Sequence, residues 1–534
     1  MRPWHAALAA AMLAAAVNAP AVPNTFAGDD RWVVIERPDL RDPPSVAAVL
    51  RAPFWPASFG GVMWRPAVIA SFALDYQIST RPQWFHVTNV VWAAIAAGLL
   101  AAVAALVAGP AAGFGTGLLF AVHPVHVEAT AGIVGRAELM AAAGYAAALL
   151  CAIRAERVPR YLWGVAAGAA LAIASKEHAA TLPAAVLLLA AGRARDDGAP
   201  PNGAKRWTGV WWRGVRGALP AAGASALPIL TYAVVRPLVL HDTIAAGGLA
   251  PGLGGLGLVA RAWAMLPITL EWWRLLLFPV HLSADYSPAD VVVTTALTPR
   301  HLVGALVWAA AVWVAWRLRG RVPAVALGLA WFVVTVAPVS NLAIPTELLV
   351  AERTLFLPSW GVMLAIGALW AAWPAGVRVR AVALAAVVLA GAVRSVARVP
   401  VWHDEERYFQ ALVRDAPRSY RTLWIRGRNE FGAGRWGSGE QLLRSAIAAA
   451  PAVPGPRDDL ARAYGAARLW GPAVGLVRES IARDSSRAPP WAMLPGFLLA
   501  GGDTAGAMTA ARDAAGRFPG DSAVQAAART VLAR

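Results

Sequence analysis

One cysteine, Cys151, occurs in 534 residues, so no disulfide can close within the chain and no cysteine cluster can hold a metal ion. Lysine is almost as scarce. Of 48 basic residues only Lys176 and Lys205 are lysines, a bias that gives each retained lysine added interest. Charge as a whole is thin, at 15% of residues, against 58% hydrophobic residues and a mean hydropathy of +0.52. That balance excludes an ordinary soluble domain and leaves a polytopic membrane protein. The net charge of +17 would suggest nucleic acid in a soluble chain. Here much of it lies in short loops between apolar runs, where it orients helices, so nucleic acid is not an expected partner.

Eleven apolar stretches are candidates to cross the membrane: 6–22, 87–108, 111–122, 138–153, 161–175, 179–192, 218–238, 302–316, 323–340, 355–373 and 379–397. The first ends near Ala19-Pro20-Ala21, which has the small-residue form of a signal-cleavage site. Because many spans follow, it is read as an uncleaved first helix. Basic residues then set the orientation. Arg154, Arg157 and Arg160, the group from Arg193 to Arg216 that includes Lys205, the group Arg317, Arg319 and Arg321, and the pair Arg378 and Arg380 share one side if the N-terminus is cytoplasmic. Eleven spans place the C-terminal tail on the other side. A crossing at 259–280 would break this alternation, and its Arg261, Glu271 and Arg274 among Trp263, Trp272 and Trp273 suit an interfacial helix; 62–80, with Arg65, Pro66 and Asp75, is read the same way.

From about residue 400 the chain turns polar, Ala- and Arg-rich, and periodic. Pro417, Pro451 and Pro519 lie 34 and 68 residues apart, with Ser485 in the vacant slot. On that register small residues recur at Gly427 and Ala461, at Gly439, Ala473 and Ala507, and at Ala446, Ser480 and Ala514. Large apolar residues recur at Leu423 and Trp491, Leu460 and Leu494, Tyr464 and Leu498, and Leu443 and Val477. Small residues let the two helices of a hairpin approach while large ones fill between hairpins, which is the tetratricopeptide pattern, with departures at Glu430 and Pro495. The expected fold is all-α: a membrane domain over 1–399, then a small α-solenoid over 400–534 with units at about 418–451, 452–485 and 486–519.

The densest polar stretch between apolar runs is H-P-V-H-V-E-A-T-A-G-I-V-G-R-A-E, from His123 to Glu138. Ionisable groups at the edge of a bilayer are expensive and tend to be functional. In the topology above they gather outside: Asp29 and Asp30; Arg65, His86 and Asn89; His123, His126, Glu128, Arg136 and Glu138; Lys176, Glu177 and His178; His241 and Asp242; Asp285 and Tyr286; Glu352 and Arg353. Asp29-Asp30 is either a solvated loop pair or a carboxylate base for an acceptor hydroxyl. His123, His126 and Glu128 are metal-ligand types, yet H-x-x-H-x-E is not the H-E-x-x-H pattern of one helical face, so hydrogen bonding to sugar or phosphate is favoured over a divalent metal. Arg136, Lys176 and Arg353 sit at predicted boundaries where a cation can meet a lipid phosphate, and each reads as one half of a neighbouring pair: Arg136 with Glu138, Lys176 with Glu177, Glu352 with Arg353.

The series Asp29-Asp30, Arg65-Pro66, Phe85-His86 with Asn89, F-A-V-H-P-V-H-V-E-A-T-A-G-I-V-G-R-A-E from Phe120, Lys176-Glu177, L-S-A-D-Y-S from Leu282 and A-E-R-T-L-F-L-P-S from Ala351, followed by the repeats, resembles the transmembrane and tetratricopeptide-repeat-containing O-mannosyltransferases. The resemblance implies a GT-C glycosyltransferase fold and transfer of mannose from a polyprenyl-phosphate donor to Ser or Thr hydroxyls of exported proteins. The partners expected from it are a lipid-linked donor and a protein acceptor, with the site facing away from the cytoplasm of a bacterial inner membrane; a single displacement would invert the sugar carbon, and the interfacial cations would leave no cofactor required. It assigns the catalytic role to Asp29 or Asp30. Sugar and phosphate binding would fall to Arg65, His86, His123, His126, Glu128, Arg136, Glu138, Lys176, Glu177, Asp285, Tyr286, Glu352 and Arg353. A glycan or lipid acceptor, a lipid-linked sugar transporter and a non-enzymatic repeat scaffold are the alternatives.

Overall fold

The computed structural model describes residues 2–56, 63–193, 204–240, 250–342, 346 and 348–533. The chain is all-α, with no strand among the described residues. Each of the eleven apolar stretches forms a helix. Among the described residues seven helical segments are long and apolar enough to cross a membrane: Pro3–Ala21, Pro82–Ala108, Ile133–Ala155, Trp212–Leu240, Pro299–Leu318, Glu352–Ala372 and Val377–Trp402. Pro110–Ala121, Tyr161–Ser175, Pro323–Val339 and Leu182–Arg193 are shorter. In a hydrocarbon layer a backbone must satisfy its own polar groups, and a helix does so within one segment. Many of these helices open on proline, as Pro3, Pro66, Pro82, Pro110, Pro299 and Pro323 do. Its fixed φ and missing N–H suit the first helical position.

The stretch 259–280 becomes two short helices, Leu258–Met265 and Thr269–Leu277. Eight or nine residues rise only about 14 Å, under half of a bilayer core, so neither crosses alone. In 62–80 the helix is Pro66–Ile78.

Two compact units are present. The first is Met1–Leu249, Leu256–Ala284 and Thr295–Ala411. Within it the helices Arg136–Ala155 and Tyr161–Ser175 pack at glycines, since a Cβ on Gly144 would lie 2.7 Å from the Gly168 carbonyl oxygen. Close contact without side chains suits helix association in lipid. It also aligns the start of one helix, at Glu138, with the end of the other, at Lys176.

The second unit is Ala250–Gly255, Asp285–Thr294 and Leu412–Arg534. It holds three helical hairpins, Tyr420–Gly432 with Trp436–Ala449, Gly455–Ala466 with Trp470–Arg483, and Ala488–Ala500 with Thr504–Arg517, followed by Ser522–Leu532. The small positions of the 34-residue period are buried, including Ala446, Ala473, Ala507 and Ala514 at 0% exposure. Gly465 faces the Phe497 ring so closely that a Cβ would lie 2.5 Å from it. These are tetratricopeptide-type hairpins whose small register positions are buried, and Gly465 with Phe497 adds a close contact that the period does not mark.

Candidate active site

Alternating helix ends bring the polar loops together within the first unit. Asp29 follows the first helix, Arg65 caps Pro66–Ile78, Glu128 lies beyond Pro110–Ala121, Glu138 is in the first turn of Arg136–Ala155, Lys176 ends Tyr161–Ser175, and Arg353 precedes Phe356–Ala372. Arg353 is the hub. Its Nη1 donates to Asp29 Oδ2 at 3.1 Å and lies 3.5 Å from Glu128 Oε1, while its backbone N–H donates to Glu128 Oε2 at 2.8 Å. The side chains of Asp29 and Arg353 remain 36% and 25% exposed. Burial raises Glu128, opposed by the Arg353 charge.

The two adjacent aspartates part company. Asp30 is only 1% exposed and accepts from Val134 N–H at 2.9 Å and Ala27 N–H at 3.3 Å. It ties the loop to the 133–135 turn, while Asp29 points to Arg353. Burial pushes the Asp30 carboxyl up from 3.8 to about 7, against the lowering effect of those N–H bonds.

Next to Arg353 lies a second charge group. Lys176 pairs with Glu138, whose other oxygen lies 3.4 Å from His178 Nδ1, and Arg65 grips Glu177 at 2.8 Å. Burial lowers Lys176 despite Glu138, and the charges of Arg65 and Arg353 lower it further, so three cations share one neighbourhood. Burial, then Lys176, brings His178 down to about 3, leaving it neutral at ordinary pH. Glu138 Oε2 and His178 Nε2 are buried with no hydrogen-bond partner.

Other candidates stand deeper. Arg136 is 0% exposed; it donates to Asp75 at 2.5 Å, to Asn89 Oδ1 at 2.8 Å, to Ser71 at 3.2 Å and to the Phe85 carbonyl at 2.9 Å. His86 donates to the Thr25 carbonyl at 3.1 Å. His123 Nε2 donates to the Leu276 carbonyl, His126 Nε2 and Ser359 Oγ share a hydrogen bond of 2.8 Å, and burial holds both histidines below their usual range. Glu352 accepts from Ser283 N–H at 2.7 Å. Asp285 and Tyr286 belong to the second unit, where Asp285 accepts from Ser287 and Ser419. His241 and Asp242 lie outside the described residues.

Neighbouring-letter pairing is overturned. Lys176 takes Glu138, Glu177 takes Arg65, Arg136 takes Asp75, and Arg353 takes Asp29 and Glu128. Residues one or two apart at a helix end point in different directions and do not face each other. Asp75, Glu405 and Tyr408 carry no mark in the sequence that separates them from ordinary loop and helix-end residues, and the structure adds them to the site's surroundings. Among the described residues no group of three His, Cys, Asp or Glu side chains could hold a metal ion.

The buried Asp30 carboxyl makes stability pH-dependent. With a folded pKa near 7 and an unfolded value of 3.8, the folded chain retains a proton that the unfolded chain releases between those values. Its contribution is complete below about 4 and disappears as pH rises through 7, an effect of up to about 4 kcal/mol. Thermal unfolding of the detergent-solubilised chain should therefore move to lower temperature from pH 5 to 8, and Asp30→Asn should flatten that descent. An unchanged descent in the variant assigns it to other groups.

No protein-family model matches the chain. It is 36% identical over 133 residues to protein O-mannosyl-transferase Tmtc1 of Drosophila melanogaster, a stretch covering 23% of this chain and 15% of that protein. Against mouse protein O-mannosyl-transferase TMTC3 it is 31% identical over 130 residues, covering 23% and 14%. Against human TMTC4 it is 28% identical over 160 residues, covering 26% and 22%. The match thus spans less than a quarter of the length of each of these relatives. The crystal structure of APC/C hetero-tetramer Cut9-Hcn1 aligns with 88% of this chain and 93% of that one at TM-score 0.26 and 12% identity, too loose a superposition to bear on the site. The chain is a membrane protein similar, over about a quarter of its length, to protein O-mannosyl-transferases.

Proposed function

We propose that the chain is a membrane glycosyltransferase that moves mannose from a polyprenyl-phosphate donor to Ser or Thr hydroxyls of exported proteins, at a bacterial inner membrane with the site and repeats facing away from the cytoplasm. The observation that carries this reading is the partly exposed Asp29 carboxylate, 3.1 Å from Arg353, beside the cations Lys176 and Arg65. The similarity to protein O-mannosyl-transferases supports the sugar-transfer class.

In this reading the donor phosphate draws Arg353 away from Asp29 and Glu128, and Lys176 and Arg65 complete its binding. Asp29, released from its ion pair, accepts the proton of the acceptor hydroxyl. The hydroxyl oxygen forms a bond to the anomeric carbon as the bond from that carbon to the phosphate oxygen breaks, and polyprenyl phosphate leaves with the electron pair. One displacement inverts the anomeric centre. The cations offset charge developing on the leaving group, so no step calls for a metal. Arg136, with each guanidinium nitrogen bonded internally, shapes the loop at 130–136 rather than touching phosphate, and the repeats present the acceptor.

The test is transfer of label from radiolabelled polyprenyl-phosphate mannose by the full chain in membrane vesicles containing exported proteins. Label on protein that falls about 100-fold with Arg353→Gln supports the reading. Label on lipid or glycan alone shifts it to those acceptors. Labelled donor crossing the bilayer without product makes the chain a transporter, and none of these with inserted protein favours a scaffold.

A further inference from the structure

We propose that Glu405 and Tyr408, on the helix Glu405–Asp415, are positioning residues that hold the Asp29 loop against Arg353. This deepens the transferase reading and rests on it for its catalytic meaning. The helix starts here for a local reason: Asp404 Oδ1 accepts from Arg407 N–H at 2.8 Å, with Glu405 and Glu406 in the first turn, a favourable N-terminal arrangement. Its beginning lies on the Asp29 loop. Thr25 donates to the His403 carbonyl through both N–H and Oγ1, at 2.7 and 2.8 Å. Gly28 N–H donates to Glu405 Oε2 at 2.8 Å.

The Tyr408 ring supports the same backbone. Gly28 has φ +58, and a Cβ added there would lie 3.1 Å from Tyr408 Cε1. Glycine is thus needed both for the left-handed turn and for the ring's approach. Tyr408 also packs on an apolar cluster of Ala21, Val127, Ala131, Val399, Val401, Trp402 and Ala411. Val127 and Ala131 flank Glu128 on its helix, Val127–Ala131. Both carboxylates that hold Arg353, Asp29 on its loop and Glu128 on its helix, therefore rest on the segment 399–411. A carboxylate base displaced by an ångström loses much of its effect, so this support bears on the rate of transfer.

Two measurements separate this inference from the reading beneath it. In a Cys151→Ser background, the full chain with Asp29→Cys carries one thiol at the loop, and its alkylation by a membrane-impermeant maleimide in proteoliposomes reports loop exposure without any catalysis. Adding Glu405→Ala should speed alkylation about fivefold, the scale of one lost hydrogen bond. Glu405→Gln, whose amide oxygen still accepts from Gly28 N–H, should stay near the parent rate. If Glu405→Ala does not insert, Tyr408→Ala removes the support from the same backbone and is read identically. Alkylation unchanged by loss of the carboxylate or the ring overturns the inference whatever the chain transfers. In the Asp29 protein, Glu405→Ala and Tyr408→Ala should lower kcat about fivefold or more with donor KM nearly constant, while Glu405→Gln and Tyr408→Phe restore most of it. A change confined to KM overturns the positioning role. A wild-type chain that transfers nothing refutes the transferase reading and leaves the alkylation result to judge the contact.

Discussion

Asp29→Asn should reduce sugar transfer by about three orders of magnitude, in the range of a lost general base, with the protein still inserted and its donor affinity largely kept. The amide has nearly the shape of the carboxylate and can still accept from Arg353, yet it cannot take the acceptor's proton. The geometry of the pair makes the comparison sharp. Asp30 is turned inward onto Val134 and Ala27, so Asp30→Asn should slow transfer far less and act instead on stability and its pH dependence. Rates measured over pH 5 to 9 with a fixed acceptor would decide it. Equal losses in the two variants would mean that the loop works as a unit and that Asp29 has no separate role as base.

Arg136→Met should be the most damaging single change to folding. The guanidinium is fully enclosed and answers Asp75, while Asn89 and Ser71 complete the network and Thr88 donates to the other Asp75 oxygen at 2.9 Å. The Phe72 ring lies 4.6 Å from the guanidinium carbon. Removing one member of such a pair leaves a buried charge unanswered, about 3–5 kcal/mol. Recovered, inserted protein should fall steeply. The double variant Arg136→Met/Asp75→Leu should restore much of it, because an apolar pair of similar size carries no stranded charge. Yield and thermal midpoint of detergent-solubilised protein read both. A single variant with the wild-type midpoint would show that water reaches Asp75.

The helices were legible because a long apolar run in a membrane protein has few alternatives. Apolar length, arginine-bearing loops and proline at first turns mark the elements without an appeal to tertiary contacts. The repeats were legible because a 34-residue register must place small residues where hairpins meet, and Ala446, Ala473, Ala507 and Ala514 sit there. Charged residue types were legible too: Lys176, one of two lysines, stands among the clustered cations. Partners were not. Arg65 meets Glu177 across 112 residues and Arg353 meets Asp29 across 324, distances over which adjacency in sequence carries no information. Two identical neighbours, Asp29 and Asp30, differ only through the turn of the backbone between them. His126 is a plausible sugar ligand by type, and only packing shows it bound to Ser359. Glu405 and Tyr408 are illegible for another reason: acids opening a polar helix past the change in composition look like ordinary solvated caps.

That change in composition, near residue 400, does not coincide with the edge of the first compact unit, which runs to Ala411. A truncation that deletes the repeats by stopping at 399 would also strip away His403, Glu405 and Tyr408. The shortened protein would lose activity for want of a braced loop, and the loss would be misread as proof that the repeats are essential for catalysis. A stop codon placed after Asp415, at the end of the helix, keeps the brace and asks the intended question about the repeats alone.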